Sequence, residues 1–543
     1  MKITIIFLAI FLVTAADIQS QVVDYKDISM DRLIEIVKAE DELRFDKTLE
    51  EFMSHSNPLL RKRAALAAGR IGNDDAIPAL KKLLKQDTAD VRQMAAFAIG
   101  EIESVRGAAS VLSVLKNLKD SEIVRARAIE AAGKIVAANE KDEQSKALRE
   151  AILENLKFEA GRRSRPSSEV ILHGVTAVLR AKPENADTTI ARFLGYSDAR
   201  IRADVLNTLA RLRSKEINGK AKELLKGDES AVVRAKAARV LGSAGDKTAI
   251  TLLIGAAWLD RDLRVRVNAI RALSSLKSKT STGMLLSRAE FLFGEYKKSK
   301  FINPSERNEL LTISSAIGNI LKSSNDERAV KFLEELRVAE KHRSAEVEIA
   351  LVRVSPSVYA ETKLPKELDW QGTRGFVAGL SEAADLEDKD GEDIRELRVI
   401  AKATLGLFIK NATLGKEKID KSFPAVLNAY AKFKTEDLQK ILPSFLLYDD
   451  VLVRSTAANL LGDIEPKTSP ESQRIYRALT NALWKARTDK LNDASLSILG
   501  ALEKQYKNRK PGGMKFPYMS PFISAMSSPD YLIRRRAAEI YRG

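Results

Sequence analysis

Cysteine is absent from the 543 residues and histidine occurs three times. The first absence excludes disulfides, thiol nucleophiles, iron–sulfur clusters and cysteine-based zinc sites. The second leaves little room for imidazole chemistry. His55, His173 and His342 stand more than 100 residues apart, and none belongs to an HExxH or other close ligand spacing. GxSxG elbows, Walker loops and dinucleotide fingerprints are also missing, and Gly512-Gly513 reads as a turn. The residues therefore name no catalytic, cofactor-binding or metal-binding group. Long apolar runs are missing too, apart from one at the extreme N-terminus.

That run has the parts of an export signal. Met1 and Lys2 precede Ile3 to Val13, then Thr14, Ala15 and Ala16. A positive start, a short apolar stretch and small residues beyond it are what a secretory signal peptide requires. Residues 1–20 are read as that peptide, with cleavage after Ala15 or Ala16 or nearer Gln21. The stretch is too short to span a bilayer comfortably, so the mature chain is expected to have no transmembrane segment. A bacterial periplasm or the outside of the cell is the expected compartment, and a cysteine-free chain has no thiol to oxidise there.

Lys and Arg number 90 against 74 Asp and Glu, a net charge of +16 spread through the chain. A basic surface favours acidic partners, anionic lipid, polyanionic polymer or nucleic acid, and selects none of them.

A phrase recurs from residue 57 onward: a polar turn, an apolar residue, Arg, then small residues and often Gly. Its copies centre on Arg61, Arg92, Arg125, Arg202, Arg234, Arg266, Arg454 and Arg534. Ser168 to Arg180 supplies a degenerate copy without the arginine. Arg202, Arg234 and Arg266 are each 32 apart, and a period in the low thirties with helical segments marks an α-solenoid. In one unit, Ala76 to Leu84 reads as a first helix, with Pro78 in its opening turn. Val91 to Ile102 reads as a second helix whose small residues admit a close neighbour.

These residues resemble HEAT repeats, in particular the short bacterial subtype also found in phycobilin lyases. The resemblance covers 57–273, 449–462 and 529–539. It implies an all-α, right-handed solenoid, expected to hold about 12 to 14 helical pairs. It also implies a structural ladder in which an acidic residue before each second helix joins the repeat arginines. The candidate acids are Asp90, Asp120, Asp198, Asp228, Asp260, Asp262, Asp449 and Asp530. Helical-repeat hydroxylases use repeated His-Glu pairs, which this chain does not have.

The organisation that follows is capping helices at 21–56, regular repeats at 57–275, irregular helical repeats at 276–440 and further repeats at 441–543. Ser355 to Arg374 reads as an excursion carrying Trp370, and 508–521 as a second break carrying Lys515, Phe516 and Tyr518. Each is read as a packed connector or a binding loop. The acidic island 382–393 fails the register of a calcium loop. The last phrase, ending at Tyr541, looks like an interior unit: either the last repeat is short or the sequence continues. Some secreted bacterial arrays of this kind carry a cyclophilin-type prolyl isomerase domain after them.

The resulting expectation is a non-catalytic exported scaffold holding a protein or peptide on the concave helices, with Arg127, Lys134, Lys236 and Arg239 as candidate contacts. The alternatives are an accessory array for a prolyl isomerase or lyase-like enzyme, an anionic-polymer binder, or a nucleic-acid binder resembling HEAT-like DNA glycosylases.

Overall fold

The computed structural model describes residues 28–162, 165–299, 302, 304–362, 370–387, 391–415, 419, 421–507 and 519–542, with only the backbone at 370–373. The export signal at 1–20 lies outside them. Among the described residues every regular element is helical, and no helix is long and apolar enough to cross a membrane. The chain forms two compact units, 1–272 and 273–543.

In the first unit α1 (Met30–Asp41) and α2 (Lys47–Met53) precede hairpins of a short first helix and a longer second helix. They begin with α3 (Pro58–Ile71), α4 (Ile77–Gln86), α5 (Ala89–Ile102), α6 (Ala108–Lys116) and α7 (Glu122–Ala138). Then come α8 (Glu143–Gly161), α9 (Ser168–Ala181), α10 (Ala186–Ala191) and α11 (Ala199–Leu212). α12 (Asn218–Gly227), α13 (Ala231–Ser243), α14 (Ile250–Leu259) and the start of α15 (Leu263–Ser275) complete the unit.

The local chemistry explains the boundaries. Asn57 caps α3 by accepting from the Leu59 N–H, Pro58 opens the helix, and Gly72 closes it at φ 74°, a conformation that costs glycine little. The sequence places the next first helix at 76–84, whereas Asp74–Ala76 is a 3-10 turn and the helix runs from Ile77 to Gln86. The following second helix begins at Ala89 because the Thr88 hydroxyl caps it.

Second helices stack on one another. A β-carbon on Gly69 would stand 2.7 Å from the Ala98 Cα, and one on Gly100 would stand 2.7 Å from that of Ala131. Gly133 meets Ala177 and Gly242 meets Ala272 in the same way. Only glycine permits this approach. The first helices touch their successors much less, so within each unit the second-helix layer is the closer-packed one.

The second unit repeats the scheme with longer and less even pieces. It contains α16 (Thr282–Lys298), α17 (Pro304–Ile320), α18 (Glu327–Ala339), α19 (Ala345–Val354) and α20 (Pro356–Ala360). α21 (Trp370–Asp385), α22 (Glu392–Thr413), α23 (Phe423–Ala431) and α24 (Leu438–Phe445) follow. α25 (Val451–Asp463), α26 (Ser469–Thr488), α27 (Asn492–Lys507), α28 (Ser520–Ala525) and α29 (Tyr531–Arg542) end it. Gly318 on Ala350 and Gly462 on Ala501 continue the close contact. The excursion predicted at 355–374 is partly helical: Pro356 starts α20 and Tyr359 is buried, stacked on Phe376.

Candidate protein-binding face

Most second helices carry the repeat arginine in their first turn, and most of these arginines brace two repeats. Arg61 donates to Asp87 through Nε and Nη2 at 2.7 and 2.6 Å, and through Nη1 to the His55 and Ser56 carbonyls. Arg202 holds Asp228 at 2.9 and 2.9 Å, and Arg234 holds Asp260 at 2.8 and 2.9 Å, each also taking two carbonyls of its own turn. Arg92 holds Asp120 at 2.8 and 2.5 Å and the Leu84 carbonyl at 2.9 Å. Planar guanidinium suits such bidentate clamps.

Electrostatics follows the geometry. Burial pushes the Asp87, Asp120 and Asp260 carboxyls up, but their guanidinium partners and a backbone N–H hold each below the ordinary range. Hydrogen bonds to those carboxylates or to Asp228 raise Arg61, Arg202 and Arg234.

The acid therefore stands in the turn ahead of the following second helix. Asp120, Asp228 and Asp260 occupy that place, but the remaining candidates do other work. Asp90 lies 3.6 Å from Lys62 and is mostly exposed. Asp198 caps α11. Asp262 accepts from its neighbour Arg264, which holds the carboxyl at about 2. Asp449 is fully exposed at 4.0 Å from Arg454. Asp530 accepts from the Ile533 N–H and from Asn492. Arg266 and Arg534 each donate to two carbonyls of their own turns.

The sequence reading missed Asp87, although a signal exists: Asp87 and Asp120 stand five residues before the next repeat arginine, and Asp228 and Asp260 six before. It also missed Glu159 and Asp489. Arg125 is 1% exposed and bonds to Glu159 at 2.5 Å and Asn155 at 3.1 Å. Arg454, equally buried, bonds to Asp489 at 2.8 Å and to the Tyr448 carbonyl.

With the arginine as zero, positions +1, +3, +4, +6, +7 and +8 of the regular second helices are mostly buried, while +2, +5 and +9 are open to solvent to varying degrees. At about 100° per residue those three fall within about 60° of one another. Each second helix thus offers one narrow stripe, and within the first unit stacking sets the stripes side by side into a continuous face.

On α3, α5 and α7 the stripe is internally neutralised. Arg63 clamps Glu40 at 2.7 and 2.8 Å. Arg127 bonds Glu130 at 2.7 Å, and Lys134 bonds Glu101 at 2.5 Å and Glu130 at 2.7 Å. Both cations also lie over the Phe97 ring. His173, 3.5 Å from Glu130, is held below the ordinary histidine range, chiefly by burial.

On α9, α11 and α13 the stripe differs. Arg180 and Arg211 are exposed and make no described ion pair, and Lys236 makes none either. Arg239 touches only Asn207, at 3.3 Å. Of the other sequence candidates, Trp370 opens α21 with its side chain outside the described residues, and Lys515, Phe516 and Tyr518 lie outside them altogether. Among the described residues no three His, Asp or Glu side chains group as a metal site would require.

Residues 46–96 and 218–290 match the HEAT repeats family. No curated protein matches the chain. Among solved structures, the Escherichia coli protein YibA is similar at 19% identity over 54% of this chain and 97% of its own, with a TM-score of 0.39. A chain of the CpcE–CpcF complex of phycocyanin lyase from a Nostoc species is similar at 17% identity over 50% and 94%, with a TM-score of 0.28. A chain from a Kap95p–RanGDP structure is similar at 12% identity over 95% and 81%, with a TM-score of 0.46. The stacked helical hairpins and their recurring arginine agree with the two matched stretches: residues 46–96 and 218–290 carry HEAT repeats.

Proposed function

We propose that the protein is a non-catalytic, exported scaffold that holds a protein or peptide on the solvent stripe of its second helices. The observation that carries this reading is the stripe itself. Braced arginines and glycine contacts fix successive second helices at close spacing, so their +2, +5 and +9 side chains form an extended, rigid surface suited to a long partner. Export is supported by Lys2, the apolar Ile3 to Val13 and the small residues after it, together with the lack of oxidisable thiols.

The test is affinity capture from the native envelope or culture fraction with the full mature chain, followed by mass spectrometry. A reproducible protein that is lost on stripe charge reversal, and retained on reversal of first-helix lysines, supports the scaffold. Capture that is indifferent to the stripe contradicts it.

A further inference from the structure

We infer that the stripe of α9, α11 and α13 receives an extended, acidic segment of a partner protein. This rests on the scaffold reading and specifies its ligand. Three observations combine. The first is charge: Arg180, Arg211, Lys236 and Arg239 face one carboxylate, Asp204, over these stripe positions. Elsewhere the same positions are compensated by the chain itself. Glu40, Glu101 and Glu130 do so on α3 to α7, and Glu382 and Asp463 answer Arg353 and Lys504 in the second unit. A row of cations with no described ion pair, in a chain whose other stripe charges are largely paired, calls for an external anion.

The second observation is spacing. Helices packed through small residues lie about 8–10 Å apart, and three residues of chain in the polyproline II form rise about 9 Å and return to the same side. One carboxylate every third residue therefore meets one guanidinium per helix, in the bidentate geometry arginine favours.

The third is what fills the gaps. His173, Thr176, Asn207 and Ser243 stand at the remaining positions, offering donors and acceptors to a peptide backbone. The one ring on this stretch, His173, lies 3.5 Å from Glu130, so among the described residues the stretch offers no open aromatic platform for stacking bases. It also carries Asp204, which repels a phosphate backbone and accepts from a peptide N–H. The chemistry fits an acidic polypeptide better than a nucleic acid.

The experiment uses the full chain and a fluorescein-labelled peptide of about 12 residues with Asp at every third position among Ser and Gly. Competitors are the Asn counterpart, single-stranded oligo-dA and heparin. Anisotropy should show binding of the Asp peptide that weakens at least about tenfold between about 50 and 500 mM salt. The triple variant R180E/R211E/R239E should lose at least about tenfold, since exposed pairs each contribute a few-fold. The K82E/K85E/K116E variant carries the same net charge change on first helices and should bind as the parent does. Equal binding of the Asn peptide, or no loss in the stripe triple, overturns the acidic ligand while leaving the scaffold to its own capture test. Tighter binding of oligo-dA or heparin overturns it in favour of a polyanion. Absence of any peptide binding at low salt overturns it outright.

Discussion

The two units brace their repeats with the same chemistry at different distances along the chain. In the first, Arg61, Arg202 and Arg234 each reach an aspartate 26 residues on, and Arg92 one 28 residues on. In the second, Arg307 reaches Glu340 across 33 residues and Arg454 reaches Asp489 across 35. Arg125 anticipates the change inside the first unit, reaching Glu159 across 34. What lengthens is the helix between: α8 has 19 residues and α26 has 20, against 10 for α4, α12 and α14. The spatial requirement, an acid beside the guanidinium of the preceding repeat, is constant. The sequence position that meets it is not.

The largest effect is expected where the brace is driest. Glu159 is fully buried and also accepts from Arg162 and the Ser167 N–H. Glu159→Ala strands the buried Arg125 guanidinium and should cost about 3–5 kcal/mol in urea unfolding. Asp489→Ala removes an acid that is partly open to water and should cost clearly less. Equal losses would remove burial as the reason for the difference.

Next come the glycine contacts. Gly100→Ala forces α5 and α7 apart and should cost about 1–3 kcal/mol. Gly255→Ala, in a helix with nothing within 4 Å of the new carbon, should gain about 0.5–1 kcal/mol. Thermal unfolding of the two variants side by side decides between a packed contact and a generic helix effect.

A smaller contrast separates the two acids of one turn. Asp87→Asn should cost about 1–2 kcal/mol, because it weakens a charge-assisted pair shielded from water. Asp90→Asn should change stability by less than about 0.5 kcal/mol. An equal loss for both would place the brace elsewhere.

The pH dependence is gentler still. Asp87, Asp120 and Asp260 have folded values below the ordinary aspartate range. Their stabilisation is complete above the unfolded value near about 4 and disappears as pH falls through the lower folded values. Unfolding temperature should be flat from about pH 7 to 5 and drop below about 4. Asp87→Asn should flatten part of that drop.

The legible part of this chain is its regular part, for a physical reason. A constant period fixes the same residue types at the same places, so Arg202, Arg234 and the small residues after them could be read as second helices directly. The solvent stripe was half legible. Lys236 and Arg239 stand on it, as do Arg127 and Lys134, but periodicity does not say that Glu130 and Glu101 occupy the latter two. Neutralisation by a neighbouring helix is a tertiary fact. Glu159 and Glu340 were illegible because longer helices carried them out of register. Asp87 was overlooked beside Asp90, although its offset from the next repeat arginine distinguishes it.

Hydrogen exchange on the full chain, alone and with the protein recovered by capture, tests the central claim most directly. The account predicts new protection in second helices 168–181, 199–212 and 231–243, with first helices 218–227 and 250–259 unchanged. Protection confined to the first helices, or to the second unit, would contradict it.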